Sequence, residues 1–269
     1  MTSPATRSLL SNRFLLAPLL GLIATFGLLT GRSAAAAEPV PSQTLLEQID
    51  ARMHTPGDFK AIVYLDEKQR DKRVTRQVVV HRRALEDKFL LLVTHPKTEA
   101  GNGYLRVDSN LFQYDTKLGK WERRTERDQL AGTNARRRDF DEARYSKEYD
   151  AKDEGKEKLG KMTVRKLSLT AKEGLDLPFP KMTIWVDGEN NIRKTQEYAL
   201  SDKLMRTSLI PKYGKTRAPD GQEVWYPREI RIFDEVEKER STVMLFKSTD
   251  LKKLDDSTFT KAWMEGQTR

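Results

Sequence analysis

The side chains able to make or break bonds are few and scattered. His54, His81 and His95 each stand alone, with no H-x-x-H or H-E-x-x-H spacing and no cysteine to complete a zinc site. No G-x-S-x-G elbow presents a serine nucleophile, and no P-loop cradles a phosphate. Gly101-x-Gly103 lacks the third glycine and the following helix of a dinucleotide fingerprint, and reads better as a bulge or tight bend. Carboxylates are abundant, but a glycosidase pair would meet only in the fold. The expectation is a protein without catalysis, cofactor or bound metal. Binding chemistry remains. Arg136-Arg137-Arg138 is either a contact for an anionic group or a partner, or a solvated loop, since Asp139, Asp141 and Glu142 follow at once. Trp121, Trp185, Trp225, Tyr226 and Phe246 either line a ligand cavity or pack as ordinary core and surface.

Such groups need a scaffold, and the stretch Met182–Pro211 shows its kind. Three β-rich runs, Met182–Asp187, Ile192–Ala199 and Lys203–Ile210, are separated only by turn formers, so they are antiparallel neighbours in a meander. Further strands are expected at Phe59–Leu65, Val74–Arg82, Lys88–Thr94, Leu111–Asp115, Trp121–Arg124, Ala151–Lys158, Met162–Thr170, Val224–Asp234 and Ser241–Asp250, with Lys252–Asp256 after them. Tyr213–Gln222 reads as a loop. Leu45, Leu46, Ile49 and Met53 share one face of a helix over Ser42–Met53, and Asp139–Tyr149 reads as a second helix. Leu90-Leu91-Leu92-Val93 and Met244-Leu245-Phe246 are apolar without alternation, which requires cover on both faces of the sheet. Ten or eleven strands with two or three helices make an α+β protein. Its expected architecture is a large curved antiparallel sheet forming an incomplete β-barrel with covering helices.

The N-terminus has a different purpose. Arg7 and Arg13 precede the apolar run Phe14–Leu29, and Ser33-Ala34-Ala35-Ala36-Ala37 follows, the pattern of a secretory signal peptide over 1–37 cleaved near Ala35 or Ala37. The alternative is an uncleaved membrane anchor, for which the run is short and interrupted by Pro18. No later run is long enough to span a bilayer. Cleavage leaves 232 of the 269 residues as a single domain over 38–269, and removes three arginines and no acid, so the net charge falls from +9 to +6. Charged residues make up 33% of the chain with both signs interspersed, which speaks for a solvated surface and against a nucleic-acid groove. With no cysteine, an exported chain of this size must be held by its hydrophobic core.

Several weak motifs then fall in a particular order. Asp58-Phe59-Lys60 follows the first helix; Pro96 precedes Gly101-x-Gly103-Tyr104-Leu105; Gly132-Thr133 precedes Asp139-Phe140-Asp141-Glu142; Trp185-Val186-Asp187, Glu197-Tyr198 and Leu254-Asp255-Asp256-x-x-Phe259-Thr260 come later. Over residues 42–263 the chain resembles the outer-membrane lipoprotein-sorting (LolA-like) superfamily, departing from it at the arginine cluster after Ala135. The resemblance implies a periplasmic half-barrel whose apolar concave face shields the acyl chains of a lipoprotein or lipid. Cargo would come from an inner-membrane exporter and pass to an outer-membrane acceptor. Leu91, Val93, Trp121, Ile184, Trp185, Ile230, Ile232 and Phe246 are the candidate lipid-lining residues. Arg123, Arg124, Arg136, Arg137 and Arg138 are the candidates for headgroup or partner contact. The rival expectation is an envelope interaction or structural protein with no lipid cargo.

Overall fold

Short turns dictate most of the topology, because a strand that reverses within a few residues can only lie beside its predecessor. The computed structural model describes residues 40–107 and 109–267. The expected signal peptide lies outside the described residues, and among them no helix is long and apolar enough to cross a membrane. After helix α1 (Ser42–Met53) and strand β1 (Asp58–Gln69), strands β2 (Lys72–Arg83), β3 (Lys88–His95), β4 (Gly103–Val107), β5 (Asn110–Asp115) and β6 (Lys120–Arg124) each pair with the strand before. Beyond a short helix α2 (Tyr145–Glu148), β7 (Tyr149–Leu159) starts a second run in which β8 (Met162–Ala171), β9 (Lys181–Val186), β10 (Ile192–Tyr198), β11 (Leu204–Arg217), β12 (Glu223–Asp234) and β13 (Arg240–Asp250) each pair with the strand before. A last helix, α3 (Lys261–Gly266), follows.

Two fans of strands are joined where β13 pairs with β1, from Lys60 opposite Asp250 to Gln69 opposite Arg240. The result is one antiparallel sheet of thirteen strands in the order β6-β5-β4-β3-β2-β1-β13-β12-β11-β10-β9-β8-β7, not closed on itself. Strands β6 and β7 are consecutive in the chain yet form the two opposite edges. The connection over 125–148 must therefore travel from one edge to the other, and it does so across one face.

That face carries the larger core. Phe59, Ala61, Val63 and Leu65 alternate inward from β1, and they join Phe89, Leu91 and Val93 of β3, Ile184 of β9, Ile230 and Ile232 of β12, and Met244 and Phe246 of β13. Leu130, Ala135 and Phe140 of the crossing segment lie in the same cluster. On the opposite face Leu90, Leu92, Leu105 and Tyr114 pack against Phe259 and Met264 of the C-terminal turn and α3. The unbroken apolar run of β3 is thus covered on both sides. Met244-Leu245-Phe246 is not its equivalent, because Leu245 is only half-buried on the outer face, beyond the reach of α3. Gly103 is required where β4 passes under α3: a Cβ there would collide with the Leu91 carbonyl and the Met264 side chain.

Four local expectations change. Asp139–Tyr149 is not one helix but a 3-10 turn, Arg137–Phe140, an extended link and the single turn of α2. The carboxylates there are held by distant partners and the segment must stretch to reach them. Strand β11 runs on through Pro211 to Arg217, where a loop was expected; its register shifts between Leu209 and Lys212, so the missing N–H falls at an irregularity of the ladder. Lys252–Asp256 is no strand, since its backbone is held by side chains: Leu254 N–H donates to Asp58 (2.6 Å) and Arg83 donates to the Leu254 carbonyl (2.7 Å). Among the described residues the strands number thirteen rather than ten or eleven.

The outer cluster contains a titratable group. His81 of β2 is 4% exposed, stacks edge-on against Trp263 at 5.6 Å, and its Nδ1 has no partner among the described residues. Burial, helped by Lys60, pushes its imidazole down to about 4 from an ordinary 6.5. The unfolded chain therefore binds a proton at His81 between pH 6.5 and 4 while the folded chain does not, and stability falls as pH falls through that window by up to about 3 kcal/mol. Urea denaturation at pH 7 and pH 4.5 should show a smaller loss in His81→Phe than in the parent.

Candidate functional site

The crossing segment is bound to the concave face by hydrogen bonds with β2, β4, β11 and β13. Ala131 N–H donates to the Tyr104 hydroxyl of β4 (2.9 Å) and Asn134 N–H to Thr242 Oγ1 of β13 (2.8 Å). Arg82 of β2 donates to the Phe140 carbonyl (2.6 Å) and to Thr55 Oγ1 (2.9 Å). Further along, Thr55 N–H donates to Glu142 (2.8 Å), and Tyr145 and Ser146 N–H both donate to Asp50 of α1 (2.9 and 2.8 Å). Segment and helix thus form one cover.

Its strongest anchor is ionic. Arg206 of β11 donates through both terminal nitrogens to Asp139 (2.7 Å each) and through Nε and Nη2 to Glu197 of β10, all three side chains being 10% exposed or less. Burial alone would pull the Arg206 guanidinium down, but the two carboxylates outweigh it and hold the group well above its ordinary value. Arg82 is the converse case: burial pushes it below an ordinary arginine, and Glu142 at 3.6 Å offsets only part of that. Asp141 is raised by burial against the pull of Arg137, 2.7 Å away, and Arg82.

Between cover and sheet lies a cavity of about 230 Å³. Its floor is apolar, formed by Phe59, Ile210, Trp225, Tyr226, Ile230 and Phe246; Thr195, Glu197, Arg206 and Ser208 give it a polar wall, and Phe140, Arg137, Arg138 and Tyr145 its roof. Phe140 packs 6.1 Å from Phe89 and 6.5 Å from Phe246, ring centre to ring centre. The arrangement can bind and enclose an apolar molecule.

Of the eight candidate lining residues, Ile230 and Phe246 reach the cavity. Leu91, Val93, Ile184 and Ile232 share the concave core but lie beneath other side chains. Trp121 is on the outer face, where its Nε1 donates to Glu265 (2.7 Å) and Tyr114 packs against it at 4.9 Å. Trp185 also faces outward, opposite in phase to Ile184; Lys194 and Lys166 lie over its ring, leaving it 4% exposed. The five candidate arginines are not brought together. Arg123 is exposed on the β6 edge and Arg124 is held by Gln113 and Glu122 (2.8 and 2.9 Å). Arg136 stacks on Phe179 at 4.8 Å, Arg137 is paired with Glu126 and Asp141, and Arg138 with Glu148 at 3.2 Å. Arg82, Thr195, Glu197, Arg206 and Ser208 escaped the reading as site residues. Their signal was phase: Thr195 and Glu197, or Arg206 and Ser208 ahead of the apolar Ile210, are polar or charged at positions in register with the inward apolar set.

A family model described as "Uncharacterized protein" matches residues 85–266. No curated protein matches the chain in sequence. Among solved structures, a domain from Vibrio parahaemolyticus described as an outer membrane lipoprotein-sorting protein is 18% identical, with a TM-score of 0.70 over 83% of this chain and 98% of that one. A LolA superfamily protein from Nitrosomonas europaea is 19% identical, with a TM-score of 0.69 over 84% and 100% of the two chains. A DUF1329 family protein from Desulfovibrio piger is 15% identical, with a TM-score of 0.71 over 82% and 97%. The incomplete barrel is thus a fold shared with these proteins.

Removing Arg206 tests what pins the cover. Arg206→Met strands Asp139 and Glu197 as buried unpaired charges and should lower the unfolding free energy by about 3–5 kcal/mol. Combining it with Asp139→Asn and Glu197→Gln should restore much of that loss. Hydrogen exchange should show opening concentrated at 136–148.

Proposed function

The chain belongs to the family whose model covers residues 85–266 and takes the LolA-superfamily fold, and on that premise we propose that it is a periplasmic carrier of acyl chains. It shelters the hydrocarbon of a lipoprotein or lipid in the concave cavity and moves it towards the outer membrane without catalysis. In this reading residues 1–37 direct export and are cleaved, an inner-membrane exporter supplies the cargo and an outer-membrane acceptor receives it. The supporting observation is the apolar floor of Phe59, Ile210, Tyr226, Ile230 and Phe246 beneath a cover held mainly by polar contacts.

Each methylene moved from water onto that floor is worth about 0.8 kcal/mol, so part of one chain suffices for tight binding. The cavity of about 230 Å³ is smaller than the roughly 300–1,000 Å³ of ordinary ligand pockets. A whole acyl chain enters only if the cover lifts. Lifting exposes charged groups that water solvates well, together with Leu130, Ala135 and Phe140 and the apolar floor, which the incoming chain covers again. Those same three residues favour the second reading, an envelope interaction protein without cargo, because they already fill much of the concavity.

The two separate on purification. Native mass spectrometry and solvent extraction of the purified protein should reveal acyl species, and Ile230→Trp, which fills the cavity at about 1–3 kcal/mol of overpacking, should carry much less of them. A lipid-free protein that also fails to bind a fluorescent fatty-acyl probe would leave only the second reading.

A further inference from the structure

The cavity contains a polar atom that the carrier reading leaves without a purpose. Ser208 Oγ is buried and has no hydrogen-bond partner among the described residues. Ser208 faces inward from the middle of β11, with Thr195 of β10 directly opposite on one side and Ile232 of β12 on the other. Both hydroxyl-bearing residues are 5% exposed and line the cavity. A buried hydroxyl with no protein partner needs a bound molecule to complete its hydrogen bonding, and such groups are rare enough in folded proteins to need a reason.

We propose that Ser208, with Thr195 beside it, is the polar subsite of the cavity and donates a hydrogen bond to the carbonyl oxygen of an esterified or amide-linked acyl chain. The inference rests on the carrier reading and narrows its cargo to neutral carbonyl compounds. The charge around the subsite sets that limit. Arg206, the next inward residue on β11, has its three guanidinium nitrogens engaged by Asp139, Glu197 and the Asn134 carbonyl. Arg206 therefore leaves no cationic donor beside Ser208 for a free carboxylate; the unpartnered guanidinium nitrogen of the cavity lining among the described residues, Arg82 Nε, is on β2, where Arg82 holds the Phe140 carbonyl. Glu197, the next inward residue on β10 after Thr195, is itself a buried anion on the cavity wall. A fatty-acid carboxylate at Ser208 would be a second anion in a desolvated place, whereas an ester or amide carbonyl needs only the one donor that Ser208 has free.

The test uses three probes of equal chain length, methyl octanoate, octanoate and 1-chlorooctane, titrated against the change in tryptophan fluorescence, Trp225 being the one of the four tryptophans in the cavity floor. The wild-type protein should bind the ester more tightly than either of the others. Ser208→Ala should weaken the ester by about three- to ten-fold, the range of one neutral hydrogen bond, while leaving 1-chlorooctane unchanged and the melting temperature no lower. If Ser208→Ala binds the ester as the wild type does, or octanoate binds as well as the ester, the subsite is refuted while the carrier reading stands. If the wild type binds none of the three, both fall together.

Discussion

An open sheet with an apolar concave face must hide that face from water, and the solution here comes from the chain's own connectivity. Because β6 and β7 are neighbours in sequence but opposite edges of the sheet, the link between them has to cross the opening. Cover and cavity are therefore one consequence of strand order. A closed barrel would have no edges to join and no such segment; a flat sheet would offer the segment nothing to cover.

The cover is fastened mainly by charge, and the physics of buried charge explains what sort of fastening that is. Arg206 with Asp139 and Glu197 is a desolvated triad whose net contribution to stability is small beside the penalty of breaking it. It works as a register: only one placement of the segment pairs Asp139 with Arg206, Phe140 O with Arg82 and Glu142 with Thr55 at the same time. An apolar seal of the same area would be greasier and less discriminating. Polar fastening also leaves a displaced segment soluble.

How much of this was legible depended on the range of the forces involved. The meander of β9, β10 and β11 was plain because turn formers act locally, and β3 declared itself by an apolar run that only two-sided cover can explain. The crossing segment was opaque for the opposite reason. Asp139 looks like a helix former among its neighbours, but it answers to Arg206, 67 residues away. Alternation placed Ile184 and Trp185 on opposite faces without saying which was inner, so a tryptophan expected in the cavity sits outside under two lysine stems. Ile230 and Phe246 were readable as apolar candidates for the lining; Ser208 was not, since an in-phase serine acquires meaning only when its lack of a partner is seen.

The pairing of β13 with β1 puts the two ends of the domain at the middle of its sheet. Every other neighbour in the sheet is joined by a turn, but this seam closes a loop of about 170 to 190 residues between its partners, Gln69 with Arg240 and Lys60 with Asp250. Such a loop is slow to close, and contacts of this separation form late in folding. Until they form, the two fans have raw edges at β1 and β13 and share no common core. A ribosome still holding the last strand therefore holds a protein that cannot yet be a half-barrel.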